Sequence, residues 1–129
     1  MTVEARARKV FVVDDDASVR RSLERLFRHT GWNVQTFASA EAFLEQDHEG
    51  VDACVIVDIH LGKMRGLELR AALGRRADPM QFIFITGVDN PDTEAAGRAQ
   101  GAAFFRKPFD VMALMDVVEG HIGPPIPAT

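Results

Sequence analysis

Five short apolar runs divide the chain: Val10 to Val13, Trp32 to Phe37, Ala53 to Val57, Phe82 to Ile85 and Ala103 to Phe105. Four of them are apolar throughout, the pattern of strands covered on both faces. The run beginning Trp32-Asn33-Val34-Gln35-Thr36 alternates instead, as an edge strand does. The segments between the runs have helical spacing. Val19, Leu23, Leu26 and Phe27 fall on one helix face that Gly31 can terminate. Ala40, Phe43 and Leu44 form a second stripe, with Ser39 before it as an N-cap. Leu69, Ala72 and Leu73 form a third, stopped by Gly74. A fourth segment, from Asp92 to Gln100, is weakly apolar, with Ala95, Ala96 and Ala99 as its inward candidates. Val111, Leu114, Met115, Val118 and Ile122 make a strong fifth stripe, capped by Asp110 and ended by Gly123-Pro124-Pro125.

A strand–helix unit repeated five times predicts an α/β fold, a (βα)5 doubly wound parallel sheet. Right-handed crossovers and the common winding give the strand order 2-1-3-4-5. In that order the carboxyl ends of strands 1 and 3 meet where the winding reverses, which is where such sheets bind ligands. The first apolar run leads directly into Asp14, Asp15 and Asp16, and the third ends on Asp58. Neighbouring strands would therefore bring these carboxylates together. Two unit charges about 4 Å apart repel by roughly 4 kcal/mol at an effective dielectric near 20. Such a cluster calls for a proton or a cation, and an all-oxygen pocket suits Mg²⁺.

The same rim receives Ile85-Thr86-Gly87 from strand 4 and Arg106-Lys107-Pro108-Phe109 from strand 5. Alone, a threonine or lysine at a strand end reads as a cap or a surface charge. Beside the acids, the two complete a set suited to phosphoryl transfer. A carboxylate serves as nucleophile, a divalent cation neutralises phosphoryl oxygens, and a lysine and a hydroxyl stabilise the rest.

Composition narrows the setting. At 129 residues, 47% hydrophobic and 26% charged, the chain fits one ordinary globular domain. A net charge of −4 gives no reason to expect nucleic-acid binding by this segment. The short basic stretch Arg6-Ala7-Arg8-Lys9 reads as a solvated arm. Residues 1–8 are thus an N-terminal arm, 9–122 the domain, and 123–129 a tail or the start of a linker. No run approaches a membrane span, and the N-terminus lacks an apolar signal region, so a cytoplasmic location is the default expectation. The single cysteine, Cys54, lies within an apolar run and reads as an inert core thiol.

With these residues in place, the chain resembles the receiver domain of two-component response regulators. The matching positions are Val13-Asp14-Asp15-Asp16, Asp58, Thr86 and Lys107-Pro108-Phe109, and the likeness spans roughly residues 9 to 122. Ser39-Ala40-Glu41-Ala42-Phe43-Leu44 and Ile85-Thr86-Gly87 are most similar to the FixJ-type branch, whose members often carry a C-terminal helix-turn-helix. The resemblance implies a flavodoxin-like sheet and a phosphorylation-activated switch, with output through the helix 4, strand 5 and helix 5 surface to control transcription. Asp58 would accept the phosphoryl group from a phosphohistidine on a sensor histidine kinase or phosphotransfer protein. Asp14, Asp15, Asp58 and the backbone carbonyl of His60 would hold Mg²⁺. Lys107 would pair with the phosphoryl group and Thr86 would donate a hydrogen bond to it. Phe104 sits where the family places a rotating aromatic, and the Lys107-Pro108 bond resembles one the family keeps cis. A phosphorylation-dependent homodimer is a further expectation. DNA would be met only through an output segment absent from this chain, and no membrane is involved. Asp16 reads chiefly as the cap of helix 1.

Departures from the family pattern are Leu61-Gly62, where Met-Pro is common, and His60 and Val88, at positions that influence phosphoryl lifetime. His29, His48 and His121 read as surface or helix-end residues. The competing class is a small Mg²⁺-dependent phosphohydrolase with an aspartyl nucleophile. That class usually needs a cap or pocket for substrate, and 129 residues leave little room for a specificity domain. A third class, an interaction module with a vestigial site, is opposed by the complete set Asp14, Asp15, Asp58, Thr86 and Lys107. On this reading the chain is not a turnover enzyme.

Overall fold

A computed structural model describes residues 7–46, 51–60, 66–77, 80–87, 91–99 and 103–124. Leu61, Gly62, Val88 and His48 lie outside the described residues, as do most of the arm and the tail. Five parallel strands form one sheet in the order β2-β1-β3-β4-β5, as expected. They are β1 (Ala7–Val13), β2 (Asn33–Phe37), β3 (Val51–Asp58), β4 (Met80–Thr86) and β5 (Ala103–Arg106). The helices are α1 (Ala17–His29), α2 (Ala40–Leu44), α3 (Gly66–Leu73), α4 (Pro91–Ala99) and α5 (Val111–Ile122). A 3-10 turn, Gly74–Ala77, follows α3, and Gly74 itself has φ 57°. Strands β1, β3, β4 and β5 extend past their apolar runs, chiefly by polar residues, because ladder pairing does not require apolar side chains. Ala7 and Arg8 join β1 in this way, paired with Val51 and Asp52.

Alternate residues of each central strand enter opposite cores. Phe11, Val13, Val55, Val57 and Phe84 join Phe43, Leu69 and Leu73 from α2 and α3. Val10, Val12, Cys54, Ile56 and Ile85 join Leu23 and Phe27 from α1 and Leu114 and Val118 from α5. Phe43 packs edge to face on both Phe11 and Phe37 in the first core, with Phe11 and Phe43 centroids 5.3 Å apart. Three caps match their expected residues. Asp16, Ser39 and Asp110 each accept backbone N–H groups at the starts of α1, α2 and α5.

Helix α4 differs from expectation. Ala95, Ala96 and Ala99 are all exposed rather than inward. The helix instead turns Glu94 toward β5, where Oε1 accepts from Arg106 Nη2 at 2.6 Å. Its Oε2 accepts from Arg98 Nε at 3.0 Å, and the Arg98 guanidinium lies 5.8 Å from the Phe104 ring centre. Ala72 of α3 is likewise exposed, leaving Leu69 and Leu73 as that helix's inward pair.

Candidate functional site

The pairing of β1 with β3 places Val13 opposite Val57, so the residues that follow, Asp14 and Asp58, emerge side by side. Each of Asp14, Asp15 and Asp58 offers an oxygen within 4.8 Å of the others. Asp14 is fully buried, Asp58 is buried, and Asp15 is exposed at the mouth. Three carboxylates converging in this way, with no sulfur or imidazole nitrogen among the donors, fit a hard divalent cation with retained waters.

Every polar group of Asp14 is engaged. Its N–H donates to Phe37 O on β2 (3.1 Å), and its Oδ1 accepts from the Asp16 N–H (2.9 Å). Its Oδ2 accepts from Lys107 Nζ (3.0 Å). Lys107 Nζ also donates to Asp58 Oδ2 at 2.9 Å, while Asp58 Oδ1 accepts from the His60 N–H at 2.9 Å. One ammonium thus joins the ends of β1 and β3. The Lys107-Pro108 bond is cis, as the family resemblance implies. Lys107 N–H donates to Thr86 O at 2.7 Å, tying the end of β4 to the loop after β5.

Burial is the strongest influence on Asp14 and pushes its carboxyl above the ordinary aspartate range. The neighbouring Asp58 charge adds to this, while the Asp16 amide and Lys107 oppose it. Burial alone would lower Lys107. Its hydrogen bonds to Asp58 and Asp14 outweigh burial and hold the ammonium above the ordinary lysine value.

The other expected residues take their places around this pair. Thr86 ends β4 and is buried. Phe104 is half-buried on β5, opposite Phe84 in register, and packs against the first core. His60 follows Asp58, and its Nε2 is buried with no hydrogen-bond partner among the described residues. Asp16 is a cap, its Oδ1 accepting from Ser18 and Val19. His121 is not merely a helix-end residue, for its Nδ1 lies 3.7 Å from Cys54 Sγ.

Two features escaped the sequence reading. Arg20 Nη1 donates to Asp14 O at 2.7 Å. Its position in the first turn after the Asp16 cap is the signal that places it there. Gly66, the first residue of α3, packs on the backbone of Asp58.

Residues 10–119 match the profile of the response regulator receiver domain. The chain is 40% identical over 110 residues to nodulation protein W of Bradyrhizobium diazoefficiens, covering 84% of this chain and 48% of that protein. It is 36% identical over 122 residues to the transcriptional regulatory protein TdiR of Thauera aromatica, covering 94% of this chain and 54% of that protein. The chain therefore spans about half the length of these curated relatives. Among solved structures, the response regulator StyR superposes with a TM-score of 0.79 at 40% identity, covering 90% of this chain and 59% of that one.

Proposed function

This chain belongs to the response regulator receiver domain family of two-component systems, and on that premise we propose that it is a switch thrown by phosphorylation of Asp58. The observation that carries the reading is the single ammonium of Lys107 held between Asp14 and Asp58 at the open end of the sheet. The ammonium stands where phosphoryl oxygens would arrive, and the carboxylates beside it are the groups that would hold a cation.

An Asp58 carboxylate oxygen attacks the phosphorus of a partner's phosphohistidine. The P–N bond breaks, and its electron pair leaves with the imidazole nitrogen, which takes up a proton. Asp14, Asp15, Asp58 and the His60 carbonyl would hold Mg²⁺, which when bound neutralises charge on the phosphoryl oxygens. Lys107 exchanges part of its carboxylate contact for a phosphoryl oxygen. Thr86 donates its hydroxyl to another, and Phe104 turns inward as Thr86 is drawn across.

The addition of about two negative charges to a buried site is a large perturbation. It reaches the partner surface only through elements whose two arrangements differ in affinity for the phosphorylated site. The α4 and β5 region fits that role, since α4 offers few large apolar anchors and meets β5 through the charges of Glu94 and Arg106. The partners proposed are a sensor histidine kinase or phosphotransfer protein and, after phosphorylation, a second copy meeting at α4 and β5. Control of transcription would run through a further output segment, and the setting is the cytoplasm. Among the described residues no helix is long and apolar enough to cross a membrane.

Incubation with acetyl phosphate or phosphoramidate and Mg²⁺, followed by intact-mass analysis, tests the reading. One added phosphoryl group that disappears in Asp58→Asn supports it. Rapid turnover of the donor without an adduct would point to a phosphohydrolase. No modification at all would point to an interaction module with an inert site.

A further inference from the structure

The turn from Asp14 to Asp16 carries two of the three clustered acids, and its geometry is fixed from three directions. Asp14 N–H is held by Phe37 O on β2, and the Asp16 carboxylate caps α1. The third tie is the charged hydrogen bond from Arg20 Nη1 to Asp14 O at 2.7 Å, which spans six residues and joins the end of β1 to α1. Arg20 is half-buried, and its own N–H bonds to Asp16 O at 3.1 Å, so its backbone is already fixed by the helix. Asp14 O lies on the peptide that leads into Asp15. Whatever orients that carbonyl orients both carboxylates.

We propose that Arg20 is a positioning residue for the metal site, clamping the Asp14–Asp15 peptide so that both acids face Asp58. The inference rests on the reading of this cluster as a Mg²⁺ site. Its sign separates it from a simple charge effect. A guanidinium near a divalent cation repels it, so a bystander arginine would weaken Mg²⁺ binding and its removal would strengthen it. A clamp does the reverse, because a pocket whose acids wander binds more weakly. Groups that orient metal ligands in this way typically cost 10- to 100-fold in affinity when removed.

The test is titration of the full chain with MgCl₂ by calorimetry, comparing wild type, Arg20→Gln and Arg20→Lys. Melting curves in EDTA and amide exchange at Asp15 and Asp16 are measured on the same samples. Arg20→Gln is expected to bind Mg²⁺ about tenfold more weakly and to exchange faster at Asp15 and Asp16. Its metal-free melting temperature should fall no further than that of Arg21→Gln, an exposed neighbour. Equal or tighter Mg²⁺ binding by Arg20→Gln overturns the role of Arg20. A wild type that binds no Mg²⁺ overturns the metal reading, and this inference with it. Should Arg20→Gln fail to fold, Arg20→Lys decides. It keeps the charge but lacks the planar fork, so weaker binding supports the clamp and wild-type affinity with wild-type exchange overturns it.

Discussion

A side chain on Gly66 would put its first carbon 2.5 Å from the carbonyl oxygen of Asp58. The contact is backbone on one side and backbone on the other, since the same carbon would also lie 3.0 Å from Ile59 Cα. Gly66 N–H donates to Ile59 O at 2.9 Å, so α3 begins in direct contact with the backbone just after Asp58, the proposed acceptor. Gly66→Ala must therefore move α3 or the end of β3. The expected loss is about 1–3 kcal/mol of stability, read by urea denaturation, together with slower phosphoryl uptake at Asp58. A variant as stable and as fast as wild type would show that the junction has slack.

Asp14 gives a pH dependence with a definite sign. Its folded carboxyl sits above the ordinary value of 3.8, so folding favours the protonated form. Stability from this group is greatest below 3.8 and is lost as pH rises through the higher folded value. Above that value the ionised, buried carboxylate burdens the metal-free fold. Asp14→Asn should then melt higher than wild type in EDTA at pH 7, and the gap should close as pH falls toward 3.8. The same variant should lose most of its Mg²⁺ affinity. Melting curves across pH, with and without Mg²⁺, measure both.

Lys107 also loses stability as pH rises, but here the charged form is the one that folding favours. Its folded value lies above 10.5, so its contribution is complete below 10.5 and disappears as pH climbs through the folded value. Removing one partner of a largely buried charged contact costs about 1–3 kcal/mol. Lys107→Met should be destabilised by about that much at pH 7 in EDTA and should approach wild type in strongly alkaline solution. Mg²⁺ should restore more stability to the variant than to wild type, because a cation would replace the missing ammonium between Asp14 and Asp58.

Cys54 should behave as a core residue. Burial pushes its thiol up to about 12, and no part of the side chain reaches solvent. An Ellman titration of the native protein should find no fast-reacting thiol, and the same titration in guanidinium should find one per chain. Rapid reaction of the native protein would mean that α5, whose His121 covers the sulfur, lifts readily from the sheet.

The runs around Val12, Ile56 and Phe84 made the sheet legible because a strand buried on both faces leaves no polar residue to interrupt it. The acid cluster was legible for the same reason: Asp14, with Asp15 behind it, and Asp58 mark where apolar runs stop. Residues whose contribution depends on a contact in space were not. Arg20 acts through a backbone carbonyl, which every residue has and no pattern advertises. Gly66 acts through a close approach between β3 and α3 that only coordinates show. The alanines of α4 were misplaced because small residues carry little periodic signal, whereas the contact that orients the helix runs through Glu94.

The parallel pairing of all five strands separates two kinds of tolerance. Strands climb about 3.3 Å per residue, so the α1–β2 connection sits about 20 Å from the acids, at the far end of β1. A fluorescent reporter or affinity peptide grafted there should leave phosphoryl chemistry untouched. The same graft between Val13 and Ala17 would cut Asp14 off from its Asp16 amide and silence the site.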